Sequence, residues 1–515
     1  MKNKLLVPII LLALLSNTKA DVKLPALFSD NMVLQQGIEC AMWGWADPGE
    51  EVSVKLHKKT HKTKADSTGK WKLNLQKLKA TNDPFSIIVN GKNTLTIKNV
   101  LVGEVWLCSG QSNMQWSVNA SNDPDLEKLT ANYPNIRLIT VPRTGTQEPQ
   151  DDFNGLWEPC TPETVAEFSA VGYYFGRQLH LTLQVPIGLI DNAWGGSACE
   201  AWIKRDLLEK LPSAKPYMEA WKSTEATFDA KKAQANYENQ VEAWKAKAQQ
   251  AKLNKKPIPN KPRAPRNPLI GQHRPANLYN GVLKPVIGYG IKGTIWYQGE
   301  SNSGRAKAYR DVFPLMINSW RDEWGLGDFS FYWVQLADFR DETSTPQDST
   351  WAELRESQTL ALKLPNTGQA VITDLGEAHD IHPKDKQNVA KRLARWALAK
   401  DYKYEIVHRS PQFKASQRNG SKLILHFEYV GGGLDTFDVR TPIGFTIAGE
   451  DKIFHPAKAK ILDKDRIEIH SEKVPNPISA RYAWADNPIA NMQNREGLPL
   501  TPFRTDKYQM VTDGK

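Results

Sequence analysis

Val102-Gly-Glu-Val-Trp-Leu-Cys-Ser-Gly-Gln-Ser-Asn-Met114 runs from an apolar stretch straight into a turn of small and polar residues. Val102 to Cys108 reads as a buried strand, because a short apolar run bounded by a turn signal suits a strand covered on both faces. The chain beyond it repeats the pattern with helices between. Val171–Leu181 reads as a helix and Val185–Ile190 as a strand; Ile291–Tyr297 and Phe329–Gln335 read as strands on either side of a helix at Ala308–Trp324. A helix at Leu354–Leu362, a strand at Ala370–Thr373 and a helix at Lys384–Ala399 follow. Strands alternating with helices predict an α/β fold, a parallel sheet with helices on both faces. Such sheets bind ligands beyond the carboxyl ends of their strands.

On either side the texture is all-β. Residues 21–100 hold Val52-Ser-Val-Lys-Leu56, Trp71-Lys-Leu-Asn-Leu75, Phe85-Ser-Ile-Ile-Val89 and Leu95-Thr-Ile97 between turn signals, which predicts a small N-terminal β-sandwich domain. Residues 403–515, with Ser421–Phe427, Gly444–Ala448, Ala459–Ile461 and Arg466–His470, predict a second one. The α/β region thus spans 101–402, interrupted by an insertion at 212–268. There Trp221 and Phe228, and Tyr237 and Trp244, are spaced seven apart in a helix-forming stretch, and Pro257, Pro259, Pro262, Pro265 and Pro268 make a stiff tail. These aromatics either glue a helical hairpin together or form a wall beside the site.

A chain of 515 residues exceeds one ordinary domain. With 40% hydrophobic and 24% charged residues, disorder, collagen and membrane bundles are excluded. Four cysteines (Cys40, Cys108, Cys160, Cys199) allow at most two bridges and supply no C-x-x-C zinc pair. Residues 1–20 have the charged start, the apolar run Leu5–Leu15 and the small-residue end of a secretory signal. That run is too short to span a bilayer. Cleavage near Ala20 and a periplasmic or secreted location, with no membrane anchor, are expected. The formal charge is +10, and loss of Lys2, Lys4 and Lys19 leaves +7. Eight basic side chains fall in 241–266, without a stacking platform or recognition motif, so a solvated insertion is expected and no nucleic-acid partner.

Four polar segments stand just after predicted strands. In Leu107–Met114, Ser112 is a candidate nucleophile, while a helix cap by Ser109 or Ser112 fits the local residues equally well. Gly110 is expected to make room for a substrate carbonyl. The usual G-x-S-x-G elbow is not matched, since position 114 is Met. In Thr373–Lys384, His382 and Asp380 suit a general base and the carboxylate that fixes its tautomer. Glu377, His379, Asp380 and His382 also offer metal ligands, but no second cluster of suitable spacing accompanies them. Trp296-Tyr-Gln-Gly-Glu-Ser-Asn302 brings amides, and Asn192-Ala-Trp-Gly-Gly-Ser197 brings backbone N–H groups; both suit an oxyanion site.

Together these segments resemble the sialate O-acetylesterase family of SGNH-type esterases. The resemblance rests on Gly103–Met114, Trp194-Gly-Gly-Ser197 with Glu200-Ala-Trp202, Ile295–Asn302 and Asp380-Ile-His-Pro383, and extends to Phe28–Gln35 and Gly444–Gly449. It implies an SGNH-hydrolase-like sheet flanked by small β-sandwich domains, and a serine esterase that removes O-acetyl groups from a sugar without metal or cofactor. It makes Ser112 the nucleophile, His382 the base and Asp380 its partner. The oxyanion hole becomes the N–H groups of Ser112 and Gly196 with an amide from Gln298 or Asn302, and Glu300 is expected at the substrate. The wider SGNH pattern places Asp three residues before His, where this chain has His379, so Asp380 follows the D-x-H form of the sialate branch. Cys199 replaces a different small residue. Acetylated sialic acid is the expected substrate. Acetylated xylan or xyloglucan is the alternative, and a non-catalytic carbohydrate-binding protein is the alternative of another class.

Overall fold

In the computed structural model, which describes residues 21–514, the apolar run before Ser109 is the second half of a 17-residue strand, β1 (Thr94–Gly110), buried throughout from Val100 onward. Beside it lie β2 (Tyr133–Thr140), β3 (Ile187–Asp191), β4 (Gly293–Tyr297), β5 (Ser330–Val334) and β6 (Thr367–Ala370). All six are parallel, in the order β6-β5-β4-β1-β3-β2, with Glu158–Cys160 antiparallel on the outer edge of β2. Asp191 pairs with Cys108 and Tyr297 with Gly110, so β1, β3 and β4 end level and their following loops meet at one rim. The leader read at 1–20 lies outside the described residues.

Period-two alternation splits the strand side chains between two cores. Trp106, Ile295 and Tyr332 pack under α2 (Ala170–Leu183) and α5 (Lys386–Lys400); Leu107, Trp296, Phe331 and Trp333 pack under α3 (Ala306–Trp324) and α4 (Thr350–Leu360). Because both faces are covered, β3, β4 and β5 are buried at every position and read as continuous apolar runs.

The N-terminal β segment is joined to this sheet by the long strand itself. The first half of β1 pairs antiparallel with Thr81–Asn90, which pairs in turn with Glu51–Leu56, and Val33–Gln35 runs parallel to Leu101–Gly103. The division drawn at 100–101 therefore falls inside one unbroken strand. The C-terminal region forms two four-stranded antiparallel sheets and a two-stranded one (Leu434–Thr436 with Met492–Asn494) over a core of Leu425, Phe427, Ile447, Ile467 and Tyr482. Arg355, fully buried on α4, docks it: the guanidinium donates to the carbonyls of Leu336 and Ala337 on one side and Ala485 and Asp486 on the other.

The insertion folds as helices Lys215–Thr227 and Ala230–Leu253, and the second buries no side chain. Trp244 Nε1 donates to the Pro259 carbonyl at 2.6 Å, which ties the proline stretch back onto that helix. All four cysteines are buried and free, none bridged. Among the described residues, no helix is long and apolar enough to cross a membrane.

Candidate active site

The turn after β1 is shaped by the neighbouring strand. Gly110 has φ +138°, and a Cβ there would stand 2.2 Å from the Tyr297 carbonyl oxygen, so only glycine lets β1 pass the end of β4. That close approach to backbone, rather than room for a substrate carbonyl, is the reason for the glycine. Gln111 N–H then donates to the same carbonyl at 2.9 Å and opens the short helix α1 (Ser112–Gln115). The N-cap residue is Gln111 and, among the described residues, no side chain caps the helix and Ser109 Oγ is buried without a partner. Neither serine is a cap, which leaves the Ser112 hydroxyl available.

The loop between β6 and α5 brings His382 to it across 270 positions. Its Nε2 lies 2.9 Å from Ser112 Oγ, and its Nδ1 lies 3.2 Å from Asp380 Oδ1. The same carboxylate oxygen accepts the His382 backbone N–H at 2.9 Å. With the proton on Nδ1 facing Asp380, Nε2 is left as the acceptor for the serine proton. Trp116 stacks on the imidazole at 4.6 Å and 12° between planes. Burial pushes the His382 pKa below the usual value; Asp380 opposes this and Lys386 reinforces it, so the ring is a neutral acceptor at pH 7. The remaining acidic and histidine side chains of the loop turn elsewhere. His379 is exposed, 3.9 Å from Asp341, and Glu377 accepts from Lys384 N–H. Among the described residues, no three His, Cys, Asp or Glu side chains converge as metal ligands.

Opposite His382, the loop after β3 closes over the serine. Gly195 N–H donates to Gln115 Oε1 at 2.7 Å, and a Cβ on Gly195 would lie 3.4 Å from Ser112 Cβ. Gly196 follows at φ +72°. The N–H groups of Ser112 and Gly196 meet no acceptor among the described residues, so two backbone donors are left free in the two loops that carry Ser112 and Gly195.

Three residues expected at the substrate have other partners. Gln298 is fully buried; its two amide hydrogens go to Ser197 O at 3.1 Å and Asn302 Oδ1 at 2.7 Å, and its oxygen accepts from Tyr309. No donor remains for an oxyanion. Asn302 accepts from Gln298 and from Cys199 N–H and donates to Glu200 Oε2 at 2.9 Å. Both amides hold the Gly195–Cys199 loop in place from behind. Glu300 likewise turns inward. Its Oε1 accepts from Asn113 Nδ2 at 2.7 Å, its Oε2 is buried without a partner among the described residues, and burial raises its pKa. Asn302→Ala would leave Glu200, Gln298 and the Cys199 N–H short of a partner, so we expect a loss of about 3 kcal/mol of stability, measured by chemical denaturation. A change below about 0.5 kcal/mol would contradict this bracing role.

The residues that reading the sequence missed are Trp116, Asn113 and Lys386. Asn113 donates to Ile381 O as well as to Glu300, and accepts from the fully buried Lys386 Nζ at 2.6 Å. Asn113 and Trp116 follow Ser112 closely in sequence, and that nearness was the available signal.

A hydroxyl, a neutral imidazole oriented by a carboxylate, and paired backbone donors at one sheet rim are the equipment of acyl transfer. The sequence profile described as carbohydrate esterase, sialic acid-specific acetylesterase matches residues 102–255 and 273–399, more than half of the chain. The chain belongs to this family. Sialate O-acetylesterase of Rattus norvegicus is 32% identical over 421 residues, 73% of this chain and 73% of that protein. The Mus musculus sialate O-acetylesterase is 30% identical over 446 residues, 78% of each. Among solved structures, a carbohydrate acetylesterase from Xanthomonas citri superposes with a TM-score of 0.78 at 36% identity, covering 95% of this chain and all of that one. This esterase is therefore a carboxylic ester hydrolase with the fold of a carbohydrate acetylesterase.

Proposed function

We propose that Ser112, His382 and Asp380 form a catalytic triad that removes O-acetyl groups from a sugar, with acetylated sialic acid as the preferred substrate. The observation that carries the reading is the 2.9 Å contact of Ser112 Oγ with His382 Nε2, with Asp380 on the far nitrogen. Ser112 Oγ attacks the acetyl carbonyl as its proton passes to Nε2. The N–H groups of Ser112 and Gly196 take up the charge on the carbonyl oxygen. The imidazolium then protonates the departing sugar oxygen, leaving acetyl-Ser112, and His382 deprotonates a water that releases acetate.

The sugar's place is a cavity of about 480 Å³ beside Gly196, lined by Tyr217, Trp221, Arg266, Asn267, Gln272 and His273. Gln272 links the two: its Nε2 lies 3.2 Å from where a Cβ on Gly196 would stand. Tyr217 and Trp221 belong to the first insertion helix and meet edge-on at 6.4 Å between centroids. The insertion thus acts as a wall here and as glue at Trp244. Burial lowers the His273 pKa, which leaves Arg266 as the cation facing the cavity, suited to a sugar carboxylate.

Acetate release from O-acetylated sialic acids, measured beside acetylated xylan and xyloglucan, tests the assignment. Preference for the neutral polysaccharides would replace sialic acid as substrate, and no release from any of them would favour a carbohydrate-binding protein. Trp221→Ala is expected to raise KM about tenfold with kcat nearly unchanged, and Arg266→Ala to raise KM for the anionic sugar alone. Equal effects of Arg266→Ala on charged and neutral substrates would argue against carboxylate recognition. Export through residues 1–20 completes the proposal, and N-terminal sequencing of the mature protein, expected to begin at Asp21, checks it.

A further inference from the structure

Lys386 is the first residue of α5, where a cation opposes the positive end of the helix dipole. It is nevertheless fully buried, so its position answers to something other than helix stability. Its ammonium donates to Asn113 Oδ1 at 2.6 Å and lies 5.2 Å from the Tyr297 ring centroid and 5.9 Å from that of Trp116. The other end of the Asn113 amide donates to Glu300 Oε1 and to the Ile381 carbonyl. One amide therefore bridges a buried cation and a buried carboxylate, its oxygen toward the first and its nitrogen toward the second. Asn113 is the residue after the nucleophile and Ile381 the residue before His382, while Tyr297 and Glu300 lie at the end of β4 and just beyond it. Trp116 touches both Lys386 and the imidazole.

We propose that Lys386 is a positioning residue: through Asn113 it locks the serine turn, the Glu300 loop and the His382 loop together, and its charge keeps the imidazole a neutral proton acceptor in mildly acidic medium. The inference rests on the triad reading above. The charged groups facing His382 are Asp380 and Lys386; those facing Lys386 are Glu300, Asp380, Glu377 and Asp385. Burial, opposed by these carboxylates, pushes the Lys386 pKa down to about 7. The ammonium is therefore charged through the pH range in which His382 gains a proton.

The test is the pH profile of kcat/KM for acetate release by the full chain and by Lys386→Met. Loss of the cation removes a force that depresses the His382 pKa, so the acid limb should move to higher pH by about half a unit or more. Turnover should fall about threefold or more at pH 5.5 and less at pH 8, where the lysine of the parent has itself lost its charge. A merely structural loss would lower activity at every pH without moving the limb. Because Lys386→Met strands Glu300 in the interior, Lys386→Met/Glu300→Gln removes both charges at nearly constant volume. It should show the same upward shift, since Glu300 is not among the groups acting on His382. If the limb stays or moves down in either folded variant, the proposal is overturned. Should neither variant fold, NMR titration of the parent's histidines decides: a His382 pKa at or above the ordinary 6.5 overturns the proposal. Ser112→Ala run in parallel separates the two failures. Full activity in that variant sinks the triad reading, whereas an inactive Ser112→Ala with an unmoved limb sinks only the role of Lys386.

Discussion

Ser112→Ala is expected to lower kcat for acetate release by about a thousandfold or more. Among the described residues, the side chain supplies the only oxygen within hydrogen-bond reach of His382 Nε2, so its removal deletes the attacking atom and leaves the base with no proton to take. Little else changes. Among the described residues Ser112 Oγ makes no other hydrogen bond, and the turn around it is fixed by Gln111 N–H on the Tyr297 carbonyl and by Gly110. The melting temperature should therefore stay within a degree or two of the parent. Residual activity would come from the Ser112 and Gly196 N–H groups acting on a water-borne attack. Intact-mass measurement of the parent, acid-quenched during turnover, should find an acetyl adduct that the variant lacks. Turnover within tenfold of the parent would remove Ser112 from the mechanism and, with it, the assignment of His382.

The sheet was legible where burial on both faces wrote an unbroken apolar run, as in β1, β4 and β5. It was illegible where polar residues are buried. The strand β2 was missed because Arg137 sits in its middle and Pro134 near its start. The structure buries that guanidinium and satisfies its donors with the carbonyl of Pro134 in the same strand and those of Asn31 and Asn99 outside it, so a charge that argues against a buried strand finds acceptors the strand alone does not show. The β6 strand was expected at Ala370–Thr373 and lies at Thr367–Ala370. Its polar Gln369 is buried, accepting from Trp333 Nε1 and donating to Thr359, and no periodicity shows such pairing in advance.

The site divides the same way. Ser112, His382 and Asp380 are read from chemical type and from their place after strands, and the structure brings them together. Amides are harder to read, because an Asn or Gln in a polar loop serves a substrate and a backbone equally well. Gln298 and Asn302 brace the loop, while backbone groups, which no sequence labels, are the free donors. Lys386 falls in the stretch Lys384–Ala399 that reads as a helix, and nothing in that reading singles it out. Only the fold turns it inward, against two aromatic rings and an amide.

Asp380 should titrate the base in the direction opposite to Lys386. One oxygen, Asp380 Oδ1, accepts both the backbone N–H and Nδ1 of His382. Asp380→Ala therefore loses the orientation of the ring, the preference for the tautomer with Nε2 free, and the counter-charge to the imidazolium at once. A fall in kcat of about a hundredfold to ten-thousandfold is expected, toward the lower end because the carboxylate is 41% exposed and partly screened by water. The sign of the pH effect follows from the groups around the ring. Burial and Lys386 lower the His382 pKa and Asp380 raises it. Removing the carboxylate lets the first two prevail, and the acid limb of kcat/KM should move to lower pH. Asp380→Asn still offers an oxygen to both N–H groups but no charge, so it should retain more activity than Asp380→Ala while shifting the limb the same way. The parent and the two kinds of variant then form a scale on one imidazole: downward without Asp380, upward without Lys386, with the parent between them. An acid limb that rises in Asp380→Ala, or a kcat within tenfold of the parent, would show that the imidazole takes its orientation from the stacked Trp116 and the loop backbone rather than from this carboxylate.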